Sequence, residues 1–197
     1  MRLFVALDIE GAIRARIERF VEGVRGFAPD ARWARGESLH VTLKFIGEKP
    51  EEAVEEIKSA LASIQGPRVE MTFRGYGFFP TPRSARVFWA GLTAGPELAT
   101  LAKEVDRAMA SLGVSPETHA YSPHLTLARG GGGSGAPGRQ RGDKANSNFL
   151  HLQERLSARP VPEFGTMTAR EFFLYRSETG RGGSRYTKIA AFVLQAS

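Results

Sequence analysis

Two short stretches of the chain repeat the same chemistry-bearing residues. "SLHVTLKFIGE" at 38–48 and "SPHLTLARG" at 122–130 each run histidine, apolar residue, threonine, leucine. The chain has four histidines, and two of them, His40 and His124, occupy these frames 84 positions apart. An imidazole titrates near neutral pH, so one histidine can accept a proton while another donates one. Such a pair suits phosphodiester chemistry.

The spacing within each frame favours a shared polar face. On a strand, alternate side chains point the same way, so His40 lies beside Thr42 and His124 beside Thr126. Threonine hydroxyls are uncharged donors that can hold phosphate oxygens. The alternative is that both are half-buried strand histidines with satisfied hydrogen bonds, but a matched pair favours a site. Two histidines fall short of the three protein ligands of a catalytic zinc, so we expect no metal and no cofactor.

The elements that must position these residues alternate along the chain. Several predicted strands follow one another in the sequence with only a short turn between them, as in β-hairpins. This order favours an α+β fold with antiparallel or mixed sheets over a doubly wound parallel sheet. The recurring frame hints at an internal duplication. Hydrophobic periodicity predicts strands at 2–9, 39–47, 68–79, 85–92, 124–129, 166–177 and 185–194, and helices at 11–26, 51–64, 95–113 and 149–158.

Composition bounds the function classes. The 197-residue chain has no cysteine, which excludes disulfides and thiolate catalysis and fits an intracellular protein. No stretch is long and apolar enough for a signal peptide or a membrane span, so we expect a cytoplasmic protein without a membrane partner. The net charge of +6 favours an anionic partner such as nucleic acid, although 21 of the 27 basic residues are arginine, a bias that GC-rich coding also produces.

At the paired frames the sequence resembles the two-histidine phosphoesterases, and among them the LigT-type RNA 2′,3′-cyclic phosphodiesterases. The resemblance covers nearly the whole chain. Trp33 and Glu37 match residues that stand just before the first histidine motif of the family. Further stretches that resemble the family are "RLFVALDI", "GYGFFPTPRSARVFWAGL", "YSPHLTLAR" and "LYRSETGRGGSRYTKIAAF".

The resemblance implies one bilobal domain over 1–197, with pseudo-twofold symmetry, two sheets facing a central cleft and helices outside. It implies metal-independent hydrolysis of 2′,3′-cyclic phosphates on RNA ends or nucleotides to 2′-phosphates, by a monomer. In it, His40 is the proton donor to the departing 3′ oxygen and His124 the acceptor that activates water. Thr42 and Thr126 hold the phosphate. The alternatives are an RNA-binding module without turnover and a 2′–5′ RNA ligase on the same scaffold.

Four further residues carry open alternatives. Arg129 points away from the His124 face on an ideal strand, but a twist or bulge would turn it into the cleft to bind phosphate rather than form a solvent salt bridge. Tyr121 and Phe45 are candidates for base stacking, with Phe45 expected in the core. Lys44 is expected on the His40 face. The glycine-rich segment at about 130–148 is expected to be a mobile loop.

Overall fold

The computed structural model describes residues 1–130, 147–180 and 183–196. Most of the predicted glycine-rich loop, from 131 to 146, lies outside the described residues. The described part of the chain forms nine strands and four α-helices. The strands are β1 (Arg2–Asp8), β2 (Arg32–Trp33), β3 (His40–Glu48), β4 (Val69–Phe79), β5 (Val87–Ala94), β6 (Leu125–Arg129), β7 (Glu163–Ala169), β8 (Glu171–Gly180) and β9 (Gly183–Val193), and the helices are α1 (Gly11–Val24), α2 (Val54–Ala62), α3 (Pro96–Ala110) and α4 (Leu150–Ser157).

The strands form two sheets. One has the order β3-β1-β8-β9 and the other β2-β6-β5-β4-β7, and the neighbouring strands of both sheets pair antiparallel. The predicted α+β fold is confirmed, with antiparallel rather than mixed sheets. The strands that carry the two frames, β3 and β6, lie near the edges of their sheets and approach each other.

Each sheet buries one face against helices. In β1 the odd positions Leu3, Val5 and Leu7 belong to the main hydrophobic core, and the even positions Phe4 and Ala6 pack on the opposite face. Helix α3 packs on β3 of the first sheet, and α1 packs on β7 of the second. The helices therefore cover the outer faces, and the other face of each sheet is left to form the cleft. No helix among the described residues is long and apolar enough to cross a membrane.

One predicted strand is wrong. The stretch 166–177 forms two strands, β7 and β8, which belong to different sheets and meet at Arg170. The buried positions change phase there, from Met167 and Ala169 to Phe172 and Leu174. A single strand would keep one alternation, so the phase change marks where the chain passes from one sheet to the other. The two-residue strand β2 is too short for periodicity to reveal.

Candidate active site

The two histidines are held by the same local bond. His40 Nδ1 lies 2.7 Å from the carbonyl oxygen of Ser38, and His124 Nδ1 lies 2.9 Å from that of Ser122. A carbonyl oxygen can only accept, so each Nδ1 carries the proton and donates it. The S-x-H spacing common to both frames thus fixes the tautomer and leaves each Nε2 as the atom for a ligand.

Aromatic rings surround His40. Its ring centroid lies 4.8 Å from that of Phe4, 6.1 Å from that of Tyr175 and 5.2 Å from that of Tyr186, which meets it edge-on. Burial lowers the pKa of His40 to about 4. It outweighs the bond to Ser38 and the negative charge of Asp8, which both raise the pKa. At neutral pH the free protein therefore holds His40 mainly as the neutral imidazole.

His124 has a matching aromatic wall in the second sheet. Its ring packs edge-on against Phe79 at 4.9 Å, and Trp89 lies 6.5 Å away. Trp89 in turn covers Gly77, where an added Cβ would stand 2.1 Å from the indole, so only glycine fits beneath it. Burial lowers the pKa of His124, and the charge of Arg129 lowers it further, while the bond to Ser122 raises it.

The structure brings the two frames together in one cleft. Strands β3 and β6 contact each other, and the Tyr121 hydroxyl bonds the carbonyl oxygen of Thr42. The charges of Arg129 and His124 both lower the pKa of His40. Thr42 lies opposite Ala6 in the first sheet. Thr42 therefore lies on the cleft face of the first sheet, and Thr126 lies opposite the Trp89 whose ring packs near His124.

Both frames are followed by the same β-bulge. Thr42 pairs with Ala6 and Lys44 with Val5, so Leu43 is an extra residue. In β6 the pairings of Thr126 with Trp89 and Ala128 with Phe88 leave Leu127 extra in the same way. A bulge reverses the alternation of the residues beyond it. The bulge expected as one route to turn Arg129 is present, and Arg129 lies opposite Val87 on the Trp89 face.

The same bulge corrects two expectations in the first frame. Lys44 does not lie on the His40 face. It is buried on the core face, where its Nζ lies 2.7 Å from Asp106 Oδ1 and 2.9 Å from Glu117 Oε1. Phe45 is not in the core, because it turns to the cleft face opposite Phe4 and is 56% exposed. Phe45 and Arg129 therefore occupy equivalent positions after the two frames.

Tyr121 joins the two lobes. Its hydroxyl donates a hydrogen bond of 2.8 Å to the carbonyl oxygen of Thr42, and its ring packs partly buried on the core. Burial raises the pKa of its phenol well above the usual range. The side chain proposed from the sequence for base stacking is thus bonded to the opposite frame, which makes it a structural link.

Sequence reasoning missed Asp8 and Lys188. Asp8 lies directly opposite His40 in the β1–β3 pair. Lys188 in β9 lies with its Nζ 4.1 Å from the ring centroid of Phe173 and donates a short hydrogen bond to Asp8 Oδ2. The available signal was the alternation of "RLFVALDI", which places a carboxylate on the same face as Phe4 and Ala6. Periodicity could not have predicted that Lys188 contacts Asp8, because the two residues lie 180 positions apart in the sequence.

No group of three or more histidine, aspartate or glutamate side chains lies in a metal-binding arrangement within residues 1–130, 147–180 and 183–196.

The fold and the site define a class. Each of the two antiparallel sheets carries one histidine frame, and in each frame the bond from Nδ1 to a backbone carbonyl leaves Nε2 for other partners, an arrangement typical of the two-histidine phosphoesterases. The family model described as LigT like Phosphoesterase matches residues 7–89 and 92–186. The chain belongs to this family, and the predicted resemblance is confirmed.

Curated relatives and solved structures agree. The chain is 35% identical over 199 residues to an RNA 2′,3′-cyclic phosphodiesterase of Aquifex aeolicus, covering 98% of this chain and 97% of the relative. It is 30% identical over 196 residues to one of Methanothermobacter thermautotrophicus, covering 98% and 99%. Escherichia coli LigT complexed with 3′-AMP superposes with a TM-score of 0.76 at 26% identity, covering 98% and 97%.

Proposed function

We propose that the protein hydrolyses 2′,3′-cyclic phosphates on RNA ends or nucleotides to 2′-phosphates, without a metal, by general acid–base catalysis from His40 and His124. The names of the curated relatives, which span most of the chain, support the predicted enzyme class, a phosphoric diester hydrolase. The complex of Escherichia coli LigT with 3′-AMP supports a ribonucleotide as the ligand.

One observation carries the mechanism. The two imidazoles belong to frames carried by contacting strands, and each has its Nδ1–H bonded to the carbonyl two residues before it. That bond fixes the ring orientation, so Nε2 of either histidine can give or take a proton at a phosphorus centre lying between them.

The steps then follow from the residues. His124 Nε2 takes a proton from a water molecule as the water oxygen attacks phosphorus. The bond between phosphorus and the 3′ oxygen breaks, and His40, protonated on both ring nitrogens beside the bound phosphate anion, gives its Nε2 proton to that oxygen. Thr42 and Thr126 donate hydrogen bonds to the non-bridging oxygens, and Arg129 contributes a positive charge near them. The products are a 2′-phosphate and a free 3′-hydroxyl.

The base of the terminal nucleotide contacts Phe45. Of the two aromatic candidates, Phe45 is the one with an exposed ring on the face that carries His40. Stacking on an exposed ring tolerates any base, since every base has a π-face.

The experiment is hydrolysis of a nucleoside 2′,3′-cyclic phosphate and of an oligoribonucleotide with the same end, each in excess EDTA, with the phosphate position of the product determined. We expect turnover to a 2′-phosphate in EDTA. Activity abolished by EDTA and restored by a divalent ion would overturn metal independence. RNA binding without turnover would favour a binding module, and joining of RNA ends would favour a ligase.

A further inference from the structure

We propose that Asp8 is a positioning residue that stabilises the protonated ring of His40 while that ring gives its proton to the departing 3′ oxygen. The inference rests on the proposed function and deepens it, because the paired frames alone treat the two histidines alike.

The placement of Asp8 is fixed by strand register. Asp8 and His40 are directly opposite in the antiparallel pair of β1 and β3, where opposite Cα atoms stand about 4.5–5.5 Å apart. The carboxylate is held by the backbone N–H of Ile9 at 2.9 Å and by Arg14 Nη2 at 2.7 Å, both on Oδ1, and by Lys188 on Oδ2. A carboxylate with donors on both oxygens cannot swing away from the ring beside it.

Asp8 carries a negative charge at neutral pH. Burial raises the pKa of Asp8, but the hydrogen bonds from Lys188 and Ile9 and the charges of Lys188 and Arg14 outweigh it and hold the pKa below its usual value. The carboxylate is 30% exposed. Asp8 is therefore an anion at neutral pH, next to a ring that burial otherwise keeps neutral.

The electrostatic surroundings of the two histidines differ as this role requires. Among the described residues, Asp8 is the carboxylate whose charge raises the pKa of His40, and no carboxylate acts on His124 in that way. Arg129 lowers the pKa of both rings. The titratable and charged groups packed around His40 or its carboxylate are Asp8 from β1, Arg14 from α1, His124 and Arg129 at β6, Tyr175 from β8, and Tyr186 and Lys188 from β9.

The consequence for catalysis is a division of labour. Stabilising the imidazolium increases the fraction of His40 that carries a proton on Nε2 when the 3′ oxygen departs. Among the described residues His124 has no such carboxylate, and its Nε2 lone pair takes the proton of the attacking water.

The test uses the full chain and two substrates. One is a nucleoside 2′,3′-cyclic phosphate, and the other is the analogue in which sulfur replaces the bridging 3′ oxygen. A thiolate, whose conjugate acid has a pKa of about 8.5, departs without a proton donor. Four variants are compared with the parent: Asp8→Asn, His40→Ala, His124→Ala and, as a matched control, Glu178→Gln, which removes an exposed carboxylate from β8.

We expect Asp8→Asn to lower kcat/KM for the oxygen substrate by about tenfold or more at pH 7, since one pKa unit changes the protonated fraction of His40 tenfold. The deficit should stay nearly constant from pH 7 to 5 and shrink only as the pH approaches 4, the pKa of His40. The sulfur substrate bypasses the general-acid step, so Asp8→Asn and His40→Ala should lower its kcat/KM by less than about twofold. His124→Ala should lower kcat/KM for both substrates, because the attacking water still needs a base. Glu178→Gln should match the parent.

Two results would overturn the inference. Equal losses by Asp8→Asn on both substrates would indicate a purely structural role, and no loss on either would exclude any role. The sulfur substrate also reports whether the variant is folded. Failure of the parent on both substrates would instead refute the proposed function, on which the role of Asp8 depends.

Discussion

The hydroxyl of Tyr121 donates a hydrogen bond of 2.8 Å to the backbone carbonyl oxygen of Thr42. Tyr121 stands three residues before His124, and Thr42 two residues after His40, so the bond ties one histidine frame to the other. The two frames come from distant parts of the chain and from different sheets. Their spacing across the cleft therefore depends on contacts between the two sheets, of which this hydrogen bond is one.

Replacement of Tyr121 by phenylalanine should weaken this link. We expect the free energy of unfolding to fall by about 1 kcal/mol, the usual contribution of one hydrogen bond, and kcat to fall as the two rings lose their spacing. Urea denaturation and steady-state kinetics measure the two effects. Tyr76→Phe is the matched control, a partly buried tyrosine on the core. A Tyr121→Phe protein with unchanged stability and kcat would show that the bond does not hold the frames.

Removal of either frame histidine should abolish most of the turnover. We expect His40→Ala and His124→Ala to lower kcat by roughly a hundredfold or more, the usual contribution of general acid–base catalysis. His119→Ala is the control, since His119 is exposed and bonded to the neighbouring Thr118. Circular dichroism and thermal unfolding check the fold of all three. Near-parental turnover in either frame variant would refute the role assigned to that histidine.

The sequence predicted the frames and the fold class because both rest on short-range patterns. Period-two alternation located β1, β3 and β6, and the repeat located His40 and His124. A bulge before Arg129 was one expected alternative, but the bulge at Leu43 escaped prediction, since it depends on pairing with a neighbouring strand. The bulge at Leu43 reversed the expected directions of Lys44 and Phe45. Asp8 and Lys188 meet across β8 in the folded sheet, a contact between remote segments that local pattern does not encode.

The pKa of His40 predicts a loss of stability in acid. Its folded pKa is about 4, below the ordinary value of 6.5, so the folded state binds protons less readily than the unfolded chain. Above pH 6.5 the neutral ring costs the folded state nothing. As the pH falls from 6.5 towards 4, the free energy of unfolding decreases by roughly 3 kcal/mol, because the unfolded chain takes up the proton first. Urea denaturation between pH 4 and 7 measures it. His40→Gln should flatten this dependence, and a variant with the same pH dependence as the parent would contradict the prediction.

The buried cation Lys44 predicts unequal effects of its two partners. Asp106 is 21% exposed and Glu117 57% exposed, and both contact the Lys44 ammonium, which is 2% exposed. Asp106→Asn should destabilise the fold by about 3 kcal/mol, because it leaves a buried charge less compensated. Glu117→Gln should cost less than about 1 kcal/mol in free energy of unfolding, as exposed pairs do.

Chemical denaturation separates these two variants, and kcat serves as the control. Lys44 faces the core rather than the cleft, so neither variant should change kcat by more than about twofold at temperatures where it is folded. Equal destabilisation by Asp106→Asn and Glu117→Gln would show that exposure does not decide the strength of these pairs.

The equivalent positions of Phe45 and Arg129 predict different defects. Both follow a bulge and face the cleft, but one offers a ring and the other a charge. Loss of base stacking costs about 1–3 kcal/mol, so Phe45→Ala should raise KM about tenfold for a nucleoside 2′,3′-cyclic phosphate and leave ribose 2′,3′-cyclic phosphate unaffected. Arg129→Gln should impair both substrates, because the phosphate is common to them.

Steady-state kinetics on this substrate pair give the measurement, with Leu150→Ala as a control at an exposed apolar side chain on α4. If Phe45→Ala impaired both substrates equally, Phe45 would act on the shared ribose phosphate or on the fold. If Arg129→Gln impaired neither, the guanidinium would remain in solvent during turnover, and the bulge at Leu127 would serve the packing of Ala128 on the core alone.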